Sequence, residues 1–594
     1  MFNIDFIIVS IVLLFIIISL YKELIGPAFT FLIGVIALGI FGILTPSEIL
    51  AGFGNEQVVV IILLLLIGDI INKTAILEIL FDKLFKNAKS YKSFLSKMML
   101  LTGSFSAFLN NTPIVTLMMP YVLNWSKKNN FNPSKLLIPL SYITILGGCI
   151  TLIGTSTNLI VNGLIAEQNI IVGMKPLKLF DFSTVGIPMF IIGFIYLYLF
   201  SNKLLPERKN IIDEINSSSR EYFVEVYVED NSKVIGKTIE EANLRNLDGL
   251  FLIEIVRNSH IISAVSPNEI IEKNDLMIFA GETEKIADMV NSNNGLKLSE
   301  VGMFAKKSHT KIIEIVVSYN SSLINKTVKE ASFRGRYNAA ILAVHRNGER
   351  VPGKIGNVKL KAGDLLLLIV GTDFEKRIIN EHDFYLVSKI KDIHRMENYK
   401  IATIIIGVFL AVVLSSLGFI SLFMALIILI IIFLAMNIAS PKDLPKSIDY
   451  NLAIIIVLSL ALGTAIIKSG FAELISDVFV NFAKPYGIIA ILSMIFLVST
   501  VLTSFISNAA VAAIIFPIAI TIASDLNIDP TPFALLVAFG AGTSFSTPIG
   551  YQTNLIVYGP GGYKYKDYFV IGAPLTILYL LVTVFVLAWQ FNLL

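Results

Sequence analysis

Apolar stretches alternate with short polar connections along most of the 594-residue chain. A run of roughly 20 apolar residues is enough to cross the hydrocarbon of a bilayer as a helix. Candidate spans are the apolar stretch that follows Met1–Asp5 and runs to Leu20, then 27–44, 56–72, 136–166 and 182–200. After a polar insert over 207–398 the pattern resumes at 401–415, 419–438, 450–467, 532–558 and 568–590. The first stretch has neither leading basic residues nor a small-residue cleavage site after its core, so it reads as a retained span rather than a signal peptide.

Two intervals depart from this pattern. Phe94–Leu109 and Pro113–Trp125 are short apolar arms meeting at Asn110-Asn111-Thr112, and Gly487–Ile506 and Ala510–Ala523 meet in the same way at Ser507-Asn508-Ala509. Arms this short, joined by a polar tripeptide, predict re-entrant hairpins over 94–125 and 486–523 that enter and leave on one side. The alternative is a pair of thin spans joined by a tight loop.

Composition agrees with a membrane protein. Hydrophobic residues make up 55% of the chain and charged ones 15%, with a mean hydropathy of +0.76; soluble domains carry about 25% charged residues. The net charge of +3 is too small to argue for nucleic acid or another polyanionic partner. The single cysteine, Cys149, excludes a disulfide framework, and all five histidines lie inside the polar insert. No His or paired Cys remains in the apolar part to hold zinc, haem or an iron–sulfur cluster, and no cofactor is expected.

Charge also predicts topology. With re-entrant hairpins and the N-terminus outside, the connections on the insert's side hold 20 Lys and Arg, and those on the opposite side hold four: Lys175, Lys178, Lys468 and Lys484. Basic residues mark the cytoplasmic face. The expectation is a multi-pass protein of the inner (plasma) membrane with ten spans, both termini outside and residues 207–398 cytoplasmic.

The two apolar parts resemble each other. Asn111 precedes Pro120 by nine residues and Asn158 by 47; Asn508 precedes Pro517 by nine and Asn554 by 46. Thr157-Asn158-Leu159-Ile160-Val161-Asn162-Gly163 matches Thr553-Asn554-Leu555-Ile556-Val557-Tyr558-Gly559 at six of seven positions. Five spans and one hairpin per half make the second half inverted, the architecture of secondary transporters whose sites lie where broken helices from the two repeats meet. The predicted breaks are the two hairpin tips, Gly154–Thr157 and Thr547–Gln552. Irregular backbone at that depth is tolerated where it lines a cavity or is buried in protein.

Around those breaks, segments 98–123, 136–166, 486–524 and 532–563 contain no Asp, Glu, Lys, Arg or His. Acid–base and nucleophilic catalysis have no side chains to work with, so an enzyme is not expected. Helix N-termini favour anions, while carbonyls and Asn or Ser oxygens favour a hard cation. A site offering both without fixed charge suits an anion carried together with cations.

At these residues the chain resembles the divalent anion/sodium symporter family of the ion-transporter superfamily, over roughly 400 residues. That family has a Ser-Asn-Thr motif at each hairpin tip. The resemblance implies one sodium site at Asn110, Asn111 and Gly154 and a second at Ser507, Asn508 and Gly550. Thr112, Thr155 and Tyr551 would face the anion alongside Asn111 and Asn508. Two departures stand out: Asn110 replaces the first Ser, and Ala509 removes a hydroxyl that the family uses on carboxylates. Thr547–Asn554 followed by Gly559-Pro560-Gly561-Gly562-Tyr563 looks like the sulfate-permease branch. The resemblance further implies an elevator motion against a dimeric scaffold.

The insert carries its own tandem repeat, expected over 221–290 and 311–380. Lys237-Thr238, Arg257-Asn258 and Asp275 recur 89 positions later as Lys326-Thr327, Arg346-Asn347 and Asp364. Alternating runs at Tyr222–Val228 and Leu365–Val370 predict strands, the Glu240-Glu241-Ala242 and Lys329-Glu330-Ala331 segments short helices, and Arg346-Asn347-Gly348 a hairpin. These units resemble RCK C-terminal (TrkA-C-type) modules, small α+β domains that pair and sense small ligands. No G-x-G-x-x-G follows a strand, so NAD is not expected. His345 and Arg346 read as surface loop residues.

The expected architecture is a polytopic α-helical membrane protein. It comprises membrane repeat 1 (1–206), two RCK-C-like domains (207–300 and 301–398) and membrane repeat 2 (399–594). The expected function is sodium-coupled symport of a small divalent oxyanion, sulfate first, by a homodimer, with the insert regulated by a small ligand and separable from the binding site. A sodium-coupled dicarboxylate carrier and a ligand-gated sensor or channel are the alternatives.

Overall fold

The computed structural model describes residues 4–73, 90–208, 223–281, 311–387 and 397–594, apart from scattered positions within those ranges, together with Phe85, Ala88 and Leu296–Leu298. Before the insert run α1 (Ile4–Tyr21), α2 (Pro27–Ile40), α3 (Pro46–Ala51), α4 (Glu56–Lys73), α5 (Tyr91–Ser106), α6 (Asn111–Lys128), α7 (Leu137–Gly148), α8 (Ser156–Glu167) and α9 (Ser183–Leu204).

The insert holds β1 (Phe223–Val228), β2 (Leu250–Arg257), β3 (His260–Ser263), β4 (Leu276–Gly281), β5 (Leu296–Leu298), β6 (Lys311–Val317), α10 (Phe333–Tyr337), β7 (Ala339–Arg346), β8 (Glu349–Arg350), β9 (Leu365–Val370), α11 (Phe374–Ile378) and β10 (Phe384–Leu386). Then follow α12 (Asn398–Ser416), α13 (Leu422–Ala435), α14 (Tyr450–Lys468), α15 (Phe471–Ala483), α16 (Ile488–Thr503), α17 (Asn508–Asp525), α18 (Thr531–Ala541), α19 (Gln552–Tyr558) and α20 (Tyr565–Gln590).

Exposure along the outer helices explains the composition. Ile187, Ile191, Ile195 and Leu199 on α9, and Ile577, Leu581, Phe585 and Trp589 on α20, recur every four residues and are all exposed. A stripe of large apolar side chains turned outward on successive turns is a lipid-facing surface. At the centre, every residue of α7 and nearly every residue of α17 is buried. Among the described residues, five helices are long and apolar enough to cross a membrane singly, or up to seven if each bent pair counts as one span.

Several elements differ from the sequence expectation. The expected spans 136–166 and 532–558 are each two helices, α7 with α8 and α18 with α19, separated by irregular backbone. The expected loop 45–55 contains α3, started by a Thr45/Glu48 capping box and bent by 43° from α4. The expected loop 467–487 contains α15, bent by 71° from α14. Its apolar face, Phe471, Ile475 and Phe479, packs on the core while Phe482 stays exposed. Caps and a single amphipathic stripe specify these short helices, and mean hydropathy does not register them.

The second arm of each hairpin is longer than expected, and the first is not. The arms run 16 residues in α5 and α16 and 18 in α6 and α17, because the second arms begin on the tip asparagines themselves. α17 alone is long and apolar enough to cross a membrane, so arm length does not distinguish a re-entrant hairpin from a pair of spans.

The insert forms two five-stranded antiparallel sheets, ordered β3-β2-β4-β1-β5 and β10-β6-β9-β7-β8. Exchanging each strand for its counterpart five places on converts one order into the other. A register shift falls between Leu252 and Glu254 in the first sheet and between Ile341 and Ala343 in the second. The fifth strands, β5 and β10, lie beyond the repeat boundaries read from the sequence. Arg257 pairs with the buried Asp275 at 2.8 Å, and Arg346 with the buried Asp364 at 2.7 Å.

The sequence reading of His345 and Arg346 as surface loop residues is corrected. Both lie on β7; burial, together with Arg350, pushes His345 down to about 4, and Arg346 is committed to Asp364. The Glu-Glu-Ala and Lys-Glu-Ala segments are turns rather than helices, closed by bonds between Thr238 and Glu241 and between Thr327 and Glu330. The Asn347-Gly348 turn links β7 to β8 with both residues at positive φ, 57° and 74°. That conformation suits a two-residue hairpin and favours glycine and asparagine.

Candidate binding site between the hairpin tips

The two halves interlock reciprocally. The short post-break helix α8 packs on α17 and α18 of the other half, and α19 packs on α6 and α7. Each tip is built by the same local chemistry. The Ser106 hydroxyl donates to Asn111 Oδ1 and lies 2.7 Å from the Thr144 carbonyl. In the second half Thr503 Oγ1 donates to Asn508 Oδ1 at 2.7 Å and lies 3.1 Å from the Ala541 carbonyl.

The breaks repeat the correspondence. Thr151 Oγ1 donates to the Ala107 carbonyl and Thr547 Oγ1 to the Ser504 carbonyl. Asn158 Nδ2 donates to the Thr151 carbonyl at 2.9 Å, and Asn554 Nδ2 to the Thr547 carbonyl at 3.1 Å. These bonds satisfy backbone carbonyls that the interrupted helices leave open, as burial requires.

Close backbone approach explains the glycines. A Cβ on Gly148 would sit 2.6 Å from Asn111 Oδ1 and 3.1 Å from the Gly154 carbonyl, and one on Gly154 would meet Gly148. A Cβ on Gly550 would meet the Ser544 hydroxyl and sit 2.8 Å from the Thr503 carbonyl. Neutral oxygens therefore converge beside each tip, the donor set that suits a hard monovalent cation. Among the described residues no group of His, Cys, Asp or Glu could hold a metal ion.

One cleft collects most of the residues expected at the site. It is lined by Asn110 and Thr112 from the first tip, Thr155 and Ser156 at the first break, Ser507, Asn508 and Ala509 from the second tip, and Gly550, Tyr551 and Gln552 at the second break. Asn111 and Gly154 do not line it. Asn111 is buried behind the wall, its Nδ2 donating to the Tyr551 hydroxyl at 2.6 Å, and Gly154 is packed against Gly148.

Tyr551 bridges the halves, since its hydroxyl also lies 3.1 Å from Thr155 Oγ1. Ser507 caps α17, accepting from the Ala510 N–H at 3.4 Å; Asn110 stands at the same place on α6 without a capping bond.

Sequence reasoning missed several participants. Gln552 lines the cleft and accepts from Thr112 Oγ1 at 3.0 Å across 440 residues. Ser106 and Thr503 hold the tip asparagines; the available signal was a hydroxyl residue five positions before each Asn. Tyr319, from the insert, also lines the cleft, so the insert reaches it. What the cleft offers is hydroxyls, carboxamides and peptide groups, a surface for binding and releasing a solute, with no side chain suited to bond making.

An apolar exterior, broken buried helices and a neutral cleft between them define a multi-pass membrane transporter rather than an enzyme. The citrate transporter (CitMHS) family model matches residues 12–538 and again 409–593, and the chain belongs to that family. An uncharacterized transporter of Synechocystis is 31% identical over 92% of this chain and 91% of its own length. A putative sulfur deprivation response regulator of Chlamydomonas reinhardtii is 31% identical over 91% of this chain and 94% of its own. A probable sodium/sulfate cotransporter of the same alga is 23% identical over 98% and 88%. The family matched is thus the citrate transporter one, where the tip motifs had suggested the divalent anion/sodium symporters.

Proposed function

We propose that the protein is a sodium-coupled symporter of a small divalent oxyanion, sulfate first among them, held in the cleft between the hairpin tips. The observation that carries this reading is the neutral cleft with matched oxygen clusters beside its two tips. A dianion bound without a fixed positive charge needs cations to enter with it. The clusters at Asn110, Asn111 and Gly154 and at Ser507, Asn508 and Gly550 supply oxygens for two sodium ions. Thr112, Thr155, Asn508, Tyr551 and Gln552 supply donors for the anion.

Both tips reaching one cleft supports re-entrant hairpins better than arm length does. The charge bias of the connections supports a cytoplasmic insert and outward termini. The interlocked hairpins and broken helices would move as one body past α1, α2, α12 and α13, in a homodimer whose two insert domains act as RCK-C-like sensors of a small ligand. Relatives named for sodium and sulfate lend support to the choice of ions.

A carboxylate substrate is the second reading, favoured by the family match itself and disfavoured by Ala509. Ligand-induced stabilisation separates the two, because a ligand that binds only folded protein raises its melting temperature. Sulfate or thiosulfate should stabilise the purified protein in Na⁺ and not in K⁺. Stabilisation by citrate or succinate without any response to sulfate would replace the first reading with the second.

A further inference from the structure

The second insert domain touches the transport body in two places. Its β7–β8 turn grips the loop after α19: the Tyr558 hydroxyl donates to Asn347 Oδ1 at 2.6 Å, Lys564 pairs with Glu349 at 2.6 Å, and Gly348 lies against Gly562. Gly559 is approached so closely by Leu365 that a Cβ there would sit 2.8 Å from its side chain. At the other place, Tyr319, just after β6, lines the same cleft as Tyr551 and Gln552. The turn that carries it faces the α1–α2 connection, where Tyr319 and Ile324 share a groove with Ile25 and Pro27.

The Tyr319 turn is held in shape from inside its own domain. The mostly buried Asp383 accepts from Ser321 Oγ at 3.1 Å, from the Ser322 N–H and from the Tyr337 hydroxyl, each at 2.5 Å, and pairs with Arg336 at 2.7 Å. Eighty-nine positions before Tyr319 and Ser322, the offset of the tandem repeat, the sequence has Asp230 and Lys233. The shared Arg–Asp pair keeps both sheets alike. In sequence, Tyr319 has no aromatic counterpart at that offset in the first domain.

We infer that Tyr319 is an access residue of the transport site: its ring covers the mouth of the cleft on the insert's side, and the Asp383 assembly positions it there. This rests on the cleft being the transport site, but the covering itself is independent of which solute is carried. A fixed aromatic ring at the rim excludes water and solute until the turn shifts. The grip on the α19 loop keeps the domain registered on the body that carries Tyr551.

Cysteine accessibility tests this without any transport assay. A cysteine replacing Ala509, which lines the same cleft and is buried, is labelled with a membrane-impermeant maleimide in full-length protein; the native Cys149 is buried. Tyr319→Ala should speed labelling several-fold, Tyr319→Phe should leave it unchanged, and Asp383→Asn should give an intermediate rate. Labelling of Tyr319→Ala at the wild-type rate, in protein with an unchanged melting temperature, would overturn the assignment. Equal acceleration by Tyr319→Phe would overturn the role of the ring. Failure of sulfate or sodium to act would leave both results interpretable.

Discussion

The two halves of the membrane part share a scaffold and differ in how their tips are tied. In the first half, Asn111 is buried and its amide nitrogen is occupied by Tyr551 of the second half. In the second half, Thr155 stands where Tyr551 would be, and its side chain is too short to return the bond. Asn508 lines the cleft, and among the described residues no protein group accepts from its amide. A near-symmetric frame thus produces an asymmetric site through one change of side-chain length.

A second asymmetry lies deeper. The Ser141 hydroxyl bridges Thr553 Oγ1 and Asn554 Oδ1 at 2.8 and 2.7 Å. Its counterpart is Ala538, and there Thr157 Oγ1 and Asn158 Oδ1 are buried without a protein partner. Leaving a buried acceptor unmet costs about 1–3 kcal/mol. Thr553 and Asn554 thus have a partner that Thr157 and Asn158 lack.

The largest effects are expected at the asparagines. Asn111→Ala and Asn508→Ala should each abolish transport. Asn111→Ala should lower stability further than Asn508→Ala, by about 1–3 kcal/mol, because Ser106 and Tyr551 both lose a buried partner where Asn508→Ala takes one from Thr503 alone. Melting curves of the two purified variants check this, and equal destabilisation would remove the claimed difference between the tips. Gly148→Ala comes next: its Cβ would displace Asn111 Oδ1, an overpacking cost of about 1–3 kcal/mol with severe loss of uptake. Wild-type uptake by this variant would show that Asn111 does not need its present position.

Tyr551→Phe deletes the bridging hydroxyl but keeps the ring. A lost hydrogen bond of about 1 kcal/mol predicts a roughly fivefold rise in KM for uptake, without loss of the protein from the membrane. The smallest expected effect is that of Ala538→Ser, which offers Thr157 and Asn158 the partner that Ser141 provides in the other half. It should raise the melting temperature slightly and leave KM unchanged; a lowered melting temperature would mean that the site has no room for the hydroxyl.

Much of this site was readable in the sequence, for a physical reason. Tip tripeptides, breaks and their spacing are local signals repeated twice, and the second copy of Asn-x₈-Pro and of Thr-Asn-Leu-Ile-Val made each one recognisable. The same duplication exposed the tandem sheets through Arg257/Asp275 and Arg346/Asp364. The bonds from Asn111 to Tyr551 and from Thr112 to Gln552 each span 440 residues and follow from interlocking that no local pattern encodes. Tyr319 was hidden for the same reason, since a tyrosine on a polar turn gives no sign of what lies across from it. The short helices α3 and α15 are specified by capping and a single apolar stripe, signals that mean hydropathy does not carry.

The proposed symport brings a divalent oxyanion and sodium together in this neutral cleft. Labelled sulfate uptake into proteoliposomes, under an inward Na⁺ gradient and under a matched K⁺ gradient, tests it most directly. Concentrative uptake with Na⁺ alone, lost in Asn508→Ala, is the predicted result. Equal uptake under both gradients, or none under either from protein with a wild-type melting curve, would contradict it.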